Sequence, residues 1–223
     1  MGVFYEIFKF IPNNYGLIVP IYVIIIWVIT MARIKEFDRE TVLRRAMKTF
    51  WKKGYEGTSI SDLTETMNIS RSSLYDTYGD KQNLFIESLK YYLEANSLKR
   101  AEIFKNSFSV KQGITDYLTN VVSFLKDPDI PDGCFFTNAI TNLGTSNDEI
   151  SGILQYYLEK QAEDFFLFFQ QGQENGEITE DKNPKELARF FIGLIRGLSV
   201  IAKLNEDRDY LKDIVKIGLR SLD

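Results

Sequence analysis

Residues 58–81 read TSISDLTETMNISRSSLYDTYGDK. The pattern predicts two short helices joined by a tight turn, with a third element starting at Asp80. Thr58 or Ser59 caps the first helix, whose inner side carries Ile60, Leu63 and Met67. Asn68 then falls where a tight turn needs a left-handed residue, a conformation Asn tolerates better than most side chains. Ile69 plugs the turn from inside. Ser70 caps the second helix by accepting a backbone N–H that otherwise has no partner. That helix turns Leu74 inward and leaves Arg71, Ser72 and Ser73 outward on its first turn. One Arg and two small hydroxyl residues at a helix start suit the floor of a DNA major groove.

The outward residues divide by chemistry. Arg71 is expected to make a bidentate contact to guanine, and Ser72 and Ser73 to touch base edges or thymine methyls. Tyr75 and Lys81 are expected as phosphate anchors, as is Thr58 at the start of the first motif helix. Tyr78 is expected chiefly to pack, with a phosphate contact as a second role.

The stretch resembles the helix-turn-helix domain of TetR-family transcriptional regulators. The resemblance rests on Thr58-Ser59-Ile60, Asp62-Leu63, Ile69-Ser70, Leu74-Tyr75, Tyr78-Gly79, and Lys81 followed by Leu84. It departs from the usual family pattern at Thr64, where Ala is common, and at Asn68, where Gly is common. The resemblance implies a repressor of the TetR/AcrR type that binds a palindromic operator in double-stranded DNA. It also implies a homodimer formed through the last two long helices, and a body that releases DNA when a small molecule enters.

Bulk properties narrow the alternatives. The 223 residues are 44 % hydrophobic, enough for a sizeable core. The net charge of −4 does not suit a general nucleic-acid binder. Its distribution says more: residues 31–81 hold ten Lys and Arg against eight Asp and Glu, whereas residues 82–223 hold 16 against 22. There is no histidine, which removes His-based triads, general bases and metal sites together. The single cysteine, Cys134, cannot form an intrachain disulfide, and fits a reducing cytosol. No cofactor and no metal site are expected, nor any catalytic constellation.

Working outward, residues 1–30 are compositionally separate. Leu17 to Thr30 is nearly all apolar over 14 residues, short of the roughly 20 that a membrane span needs. Pro20 interrupts it, and Arg33, Lys35 and Arg39 follow. The favoured expectation is that translation starts at Met31, with a membrane anchor and a disordered or packed tail as the alternatives. Phe37 to Lys53 is expected as an amphipathic support helix capped by Asp38 and stopped by Gly54. A long helix from Asp80 to about Phe104 leads into an all-helical body. Body helices are expected near 110–126, 134–144, 147–173, 184–203 and 207–221, the fourth started by Asn183-Pro184.

The fold class is therefore all-α. A helix-turn-helix DNA-binding domain over 31–80 is followed by a helical effector-binding and dimerisation domain over 81–223. Aromatic residues enrich the body, and Tyr117, Phe124, Phe135 and Tyr156 are candidates to line an apolar ligand pocket, against the simpler reading that they fill a core. Cys134 lies at an expected helix start, where a thiol becomes more reactive, although no cationic residue flanks it in the sequence. Some regulators of this family sense oxidants or electrophiles at such a Gly-Cys segment. Leu187, Phe190, Phe191, Leu194, Leu198 and Ile201, with Leu211, Ile214, Val215, Ile217 and Leu222, form two apolar helix faces. Gly193 and Gly197 allow close helix approach there. The leading expectation is a cytoplasmic, ligand-responsive DNA-binding regulator, released by a small molecule or by thiol modification. The alternatives are a membrane-tethered regulator of the same family and a helical small-molecule-binding protein or enzyme.

Overall fold

A computed structural model describes residues 11–12, 18–19, 39–145, 147–204 and 207–223. The chain divides into two compact units, Met1–Arg44 and Arg45–Asp223. In the first, Ile11–Pro12 (β1) and Ile18–Val19 (β2) pair antiparallel, with Ile11 opposite Val19. The rest of the apolar run 17–30, the Met31 start and the helix start at Phe37 and Asp38 lie outside the described residues. No helix among the described residues is long and apolar enough to cross a membrane.

Residues 39–53 are helical (α1). The helix-turn-helix follows as α2 (Ile60–Met67) and α3 (Arg71–Tyr78). Ser59, not Thr58, caps α2: its Oγ accepts from the Asp62 N–H, and the Asp62 carboxylate accepts from the Ser59 N–H. This reciprocal capping box satisfies two otherwise orphaned donors. Asn68 closes α2 in the left-handed region, at φ 56° and ψ 48°. Leu63 and Leu74 are fully buried where the two helices meet. Thr64 is accommodated by back-bonding, its hydroxyl donating to the Ile60 carbonyl at 3.0 Å.

Gly79, at φ 79°, makes the turn that Asp80 then converts into the start of α4 (Lys81–Lys105). The body adds α5 (Val110–Leu125), α6 (Phe135–Leu143), α7 (Asp148–Glu174), α8 (Pro184–Ile201) and α9 (Arg208–Leu219). A 3-10 turn over Arg220–Leu222 follows. Asn183 caps α8 and Pro184 opens it, as its fixed φ and missing N–H favour.

The body core gathers Ile114 and Leu118 of α5, Phe165 and Phe169 of α7, Phe191 and Leu198 of α8 and Leu211 of α9, all fully buried. Burying each such side chain contributes roughly 1.5–3 kcal/mol. Gly113 lets α5 approach α7, since a Cβ there would sit 2.6 Å from Phe168. A second aromatic cluster joins the DNA-reading helices to the body. Phe50 and Tyr55 pack on Phe85 of α4. Trp51 stacks on Phe124 and Phe135 at centroid distances of 5.7 and 5.9 Å and meets Tyr92 edge-on at 5.1 Å. Such pairs add roughly 0.5–1.5 kcal/mol beyond burial.

Candidate functional site

The start of α3 is polar and open. Ser70 Oγ accepts from the Ser73 N–H at 3.1 Å, holding the first turn of the helix. Arg71, Ser72 and Ser73 are exposed, and Tyr75 is 39 % exposed. The Arg71 guanidinium rests 5.7 Å from the Tyr75 ring, a loose association that leaves it free to reorient. Lys81, in the first turn of α4, lies with its ammonium 4.4 Å from the Tyr55 ring. Arg71, Ser72, Ser73 and Tyr75 of the group expected from the sequence are thus exposed on α3, and Lys81 follows in the first turn of α4.

Two members of that group are placed differently. Thr58 is buried, and its hydroxyl donates to the Gly54 carbonyl at 2.6 Å, tying down the loop between α1 and α2. Tyr78 is buried with its hydroxyl inside the domain. The side-chain phosphate contact expected at Thr58 is therefore corrected to a packing role, and Tyr78 takes the packing role expected first for it rather than the phosphate contact expected second. For Thr58 the reason is the Ser59 cap, which shifts the helix start by one residue and turns Thr58 inward.

Within the body lies a cavity of about 320 Å³. Its walls combine Met47, Lys48 and Trp51 of α1 with residues of α4, α5, α7 and α8, among them Tyr92, Tyr117, Phe124, Tyr157, Gln161 and Arg196. Cys134 and Phe136 close another side. Of the expected lining residues, Tyr117, Phe124 and Cys134 face it. Two expectations are corrected by one position each. Phe135 is buried in the aromatic cluster against Trp51 and Tyr92, and Phe136 takes the wall. Tyr156 is 59 % exposed, while Tyr157 lines the cavity and donates to Glu94 at 3.2 Å.

Cys134 is the residue immediately before α6, partly buried. A cation does stand beside it, brought by the fold rather than by sequence: Arg196 Nη1 lies 3.7 Å from Sγ and donates to Thr137 Oγ1 at 3.2 Å. Arg196 Nη2 donates to the Gln161 amide oxygen, and the guanidinium sits 4.6 Å from the centre of the Phe136 ring. The Tyr92 hydroxyl is 3.3 Å from Sγ. Burial pushes the thiol up, but the Arg196 charge and hydrogen bonds from Tyr92 and Thr137 outweigh it and leave the thiol below its ordinary value. Burial, and next the neighbouring Cys134, push the Tyr92 phenol well up.

Sequence reading missed Trp51, Tyr92, Gln161 and Arg196 as cavity residues. One signal was present for Arg196. It shares the buried face of α8 with Ile192, Ile195 and Ser199, and a charge on an apolar helix face is seldom idle.

The apolar faces of α8 and α9 divide in two. Leu187, Phe191, Leu198, Leu211, Val215 and Leu222 are buried inside the chain. Phe190 and Val200 remain 45 % and 48 % exposed on the other side of α8, and Ile217 of α9 is 58 % exposed. Gly193 and Gly197 lie between Phe190 and Val200, and a Cβ at either would meet nothing within 4 Å.

A helix-turn-helix carried by a helical body defines a class of DNA-binding regulators. Residues 42–87 match the family described as bacterial regulatory proteins, tetR family. Residues 111–217 match the tetracyclin repressor-like C-terminal domain. The uncharacterized HTH-type transcriptional regulator YezE of Bacillus subtilis is 35 % identical over 86 % of this chain and all of its own length. The HTH-type transcriptional repressor ComR of Escherichia coli is 32 % identical over 84 % of this chain and 90 % of its own. A cysteine variant of the regulator CifR, solved with a 26-base-pair operator duplex, is 31 % identical. It superimposes with a TM-score of 0.73 over 81 % of this chain and 94 % of its own. The protein belongs to the TetR family of transcriptional regulators: it is a DNA-binding regulator and not an enzyme.

Proposed function

We propose that the protein works as a homodimeric repressor in the cytoplasm. Two copies of α3 read successive major-groove half-sites of a palindromic operator, and occupation of the body cavity or modification of Cys134 releases the DNA. Arg71, Ser72 and Ser73 read bases in this scheme, and Tyr75 and Lys81 hold phosphate. The observation that carries control is the make-up of the cavity wall. Met47, Lys48 and Trp51 belong to α1, the helix that packs behind the motif, so whatever fills the cavity touches the DNA-reading module itself. Thr49 of that helix bonds Thr66 of α2 at 3.0 Å, and Arg45 donates to the Met67 carbonyl at 3.4 Å. A displacement of α1 is thus transmitted to α2 and the turn before α3. The dimer is supported by the outer stripe Phe190, Gly193, Gly197 and Val200, whose open glycines suit close approach of a second helix. The operator-bound CifR relative supports the DNA-binding mode.

The test is to map the genomic DNA bound by the protein. Binding to the recovered fragment is then followed by fluorescence anisotropy, alone and with compounds or thiol reagents. A coupling of about 1–3 kcal/mol predicts roughly 5- to 150-fold weaker operator binding when the cavity is occupied. Sedimentation is expected to give two protomers per half-site pair. A monomer bound to a single half-site, or operator affinity unchanged by both cavity ligands and thiol reagents, refutes the scheme.

A further inference from the structure

We propose that the cavity takes a small organic monocarboxylate, its apolar body lodged among the aromatic walls and its carboxylate held by Arg196. The inference rests on reading this cavity as the effector site, and it names the chemistry of the effector.

The first observation is the charge of the wall. The described residues lining the cavity include Lys48, Lys99, Arg100, Lys160 and Arg196, but no Asp or Glu. This is a one-signed lining in a chain whose acids outnumber its Lys and Arg by 31 to 27. The five cations are not equivalent. Lys48, Lys99 and Lys160 are exposed and solvated, so they can only attract an anion to the mouth. Arg100 is paired with the Asp164 carboxylate. Arg196 is the one whose charge is met by neutral groups alone: the Gln161 amide oxygen, the Thr137 hydroxyl, the Cys134 thiol and the Phe136 ring. Its Nε is buried and has no acceptor.

Arg196 is partly buried, and a guanidinium so placed with neutral partners alone is favoured by an anion that answers it. The planar fork matches the two oxygens of a carboxylate. The indole Nε1 of Trp51, a wall residue 6 % exposed, is buried without an acceptor. Much of the remaining wall is apolar or aromatic, including Tyr117, Phe124 and Ile195, with Asn96, Asn120 and Ser199 as further polar members. At about 320 Å³ the space is at the lower end for ligand pockets, which restricts the acid to a small one. The competing source of negative charge is Cys134 itself, as thiolate, and the experiment separates the two.

The full-length protein is titrated calorimetrically with benzoate, 3-phenylpropanoate, trans-cinnamate and octanoate, each beside its neutral primary amide. Operator anisotropy is recorded on the same samples. At least one acid is expected to bind about tenfold or more tighter than its amide, as a charge-assisted bond implies. Arg196→Gln should reduce that preference to under about twofold, Arg196→Lys should keep part of it, and Cys134→Ser should keep it whole. The wild-type comparison stands even where a variant fails to fold. Amides binding as tightly as acids, no acid binding, or a preference that survives Arg196→Gln overturns the proposal. So does acid binding that appears only in Cys134→Ser, because the thiolate would then already neutralise Arg196. An acid that binds without loosening the operator supports the carboxylate site and refutes release through the cavity. Release by neutral compounds alone does the reverse.

Discussion

Arg71→Ala isolates recognition from folding. The side chain is exposed, and its contacts are confined to Tyr75, one helical turn away: the ring at 5.7 Å and the hydroxyl at 3.5 Å. Removing it should therefore change stability by no more than about 0.5 kcal/mol. If Arg71 grips a guanine edge, the same change should cost about 1–3 kcal/mol of specific binding per half-site, roughly 5- to 150-fold. The loss should be larger on the operator than on a scrambled duplex, because bidentate base contacts discriminate and phosphate contacts do not. Lys81→Ala is the control: it should weaken both duplexes alike and lower the salt slope by about one per protomer, roughly two for the dimer. The assay is fluorescence anisotropy with both duplexes across a salt series, beside thermal melts of each variant. Equal losses on operator and scrambled DNA for Arg71→Ala would move Arg71 from base reading to phosphate holding. A melt displaced well beyond the stated bound would show that the residue supports α3 instead.

Three further outcomes follow from the geometry. Phe190→Asp places a charge on the outer face of α8, where the side chain is 45 % exposed, and should give a folded monomer by sedimentation with operator binding lost. An intact dimer would relocate the interface. Asp62 is held below the ordinary carboxylate range, first by its 2.6 Å hydrogen bond to Lys53 and then by the Ser59 N–H. A depressed carboxylate stabilises fully above its unfolded value of 3.8, and that stabilisation is lost as pH falls further. The melting difference between wild type and Asp62→Asn should accordingly be full at neutral pH and shrink in acid; a pH-independent difference contradicts the ion-pair account. Finally, Arg196→Gln should move the midpoint of the pH–rate profile for iodoacetamide alkylation of Cys134 upward and slow the reaction at neutral pH several-fold. An unchanged midpoint would mean that Arg196 does not govern the thiol.

What the sequence disclosed, and what it hid, follows the range of the interactions. The turn at Asn68, the caps at Ser70 and Asn183, and the inward Leu63 and Leu74 are decided within four residues of chain and were legible, while the first cap was narrowed only to Thr58 or Ser59. So were the body helices, whose ends fall within about two residues of expectation because Gly, Pro and Asn punctuate them. The misplaced sites share a different cause. Phe135 and Phe136, like Tyr156 and Tyr157, are adjacent aromatics about 100° apart on a helix. Composition marks the pair, and only tertiary packing decides which member meets the cavity. Thr58 shows the same limit at a helix start, where one residue of shift converts an outward hydroxyl into a buried tie. The partnership at Cys134 was the least accessible. Its cation comes from Arg196, 62 residues further along the chain, and its phenol from Tyr92, 42 residues before. Local reading found a cysteine with no charged neighbour in sequence, while packing of α8 against α6 supplies one. The cavity and the surroundings of Cys134 are thus built at contacts between helices, whereas the helix-turn-helix is built within one short motif. That division explains why the motif's turn and caps were largely readable from the residues alone and the cavity required the fold.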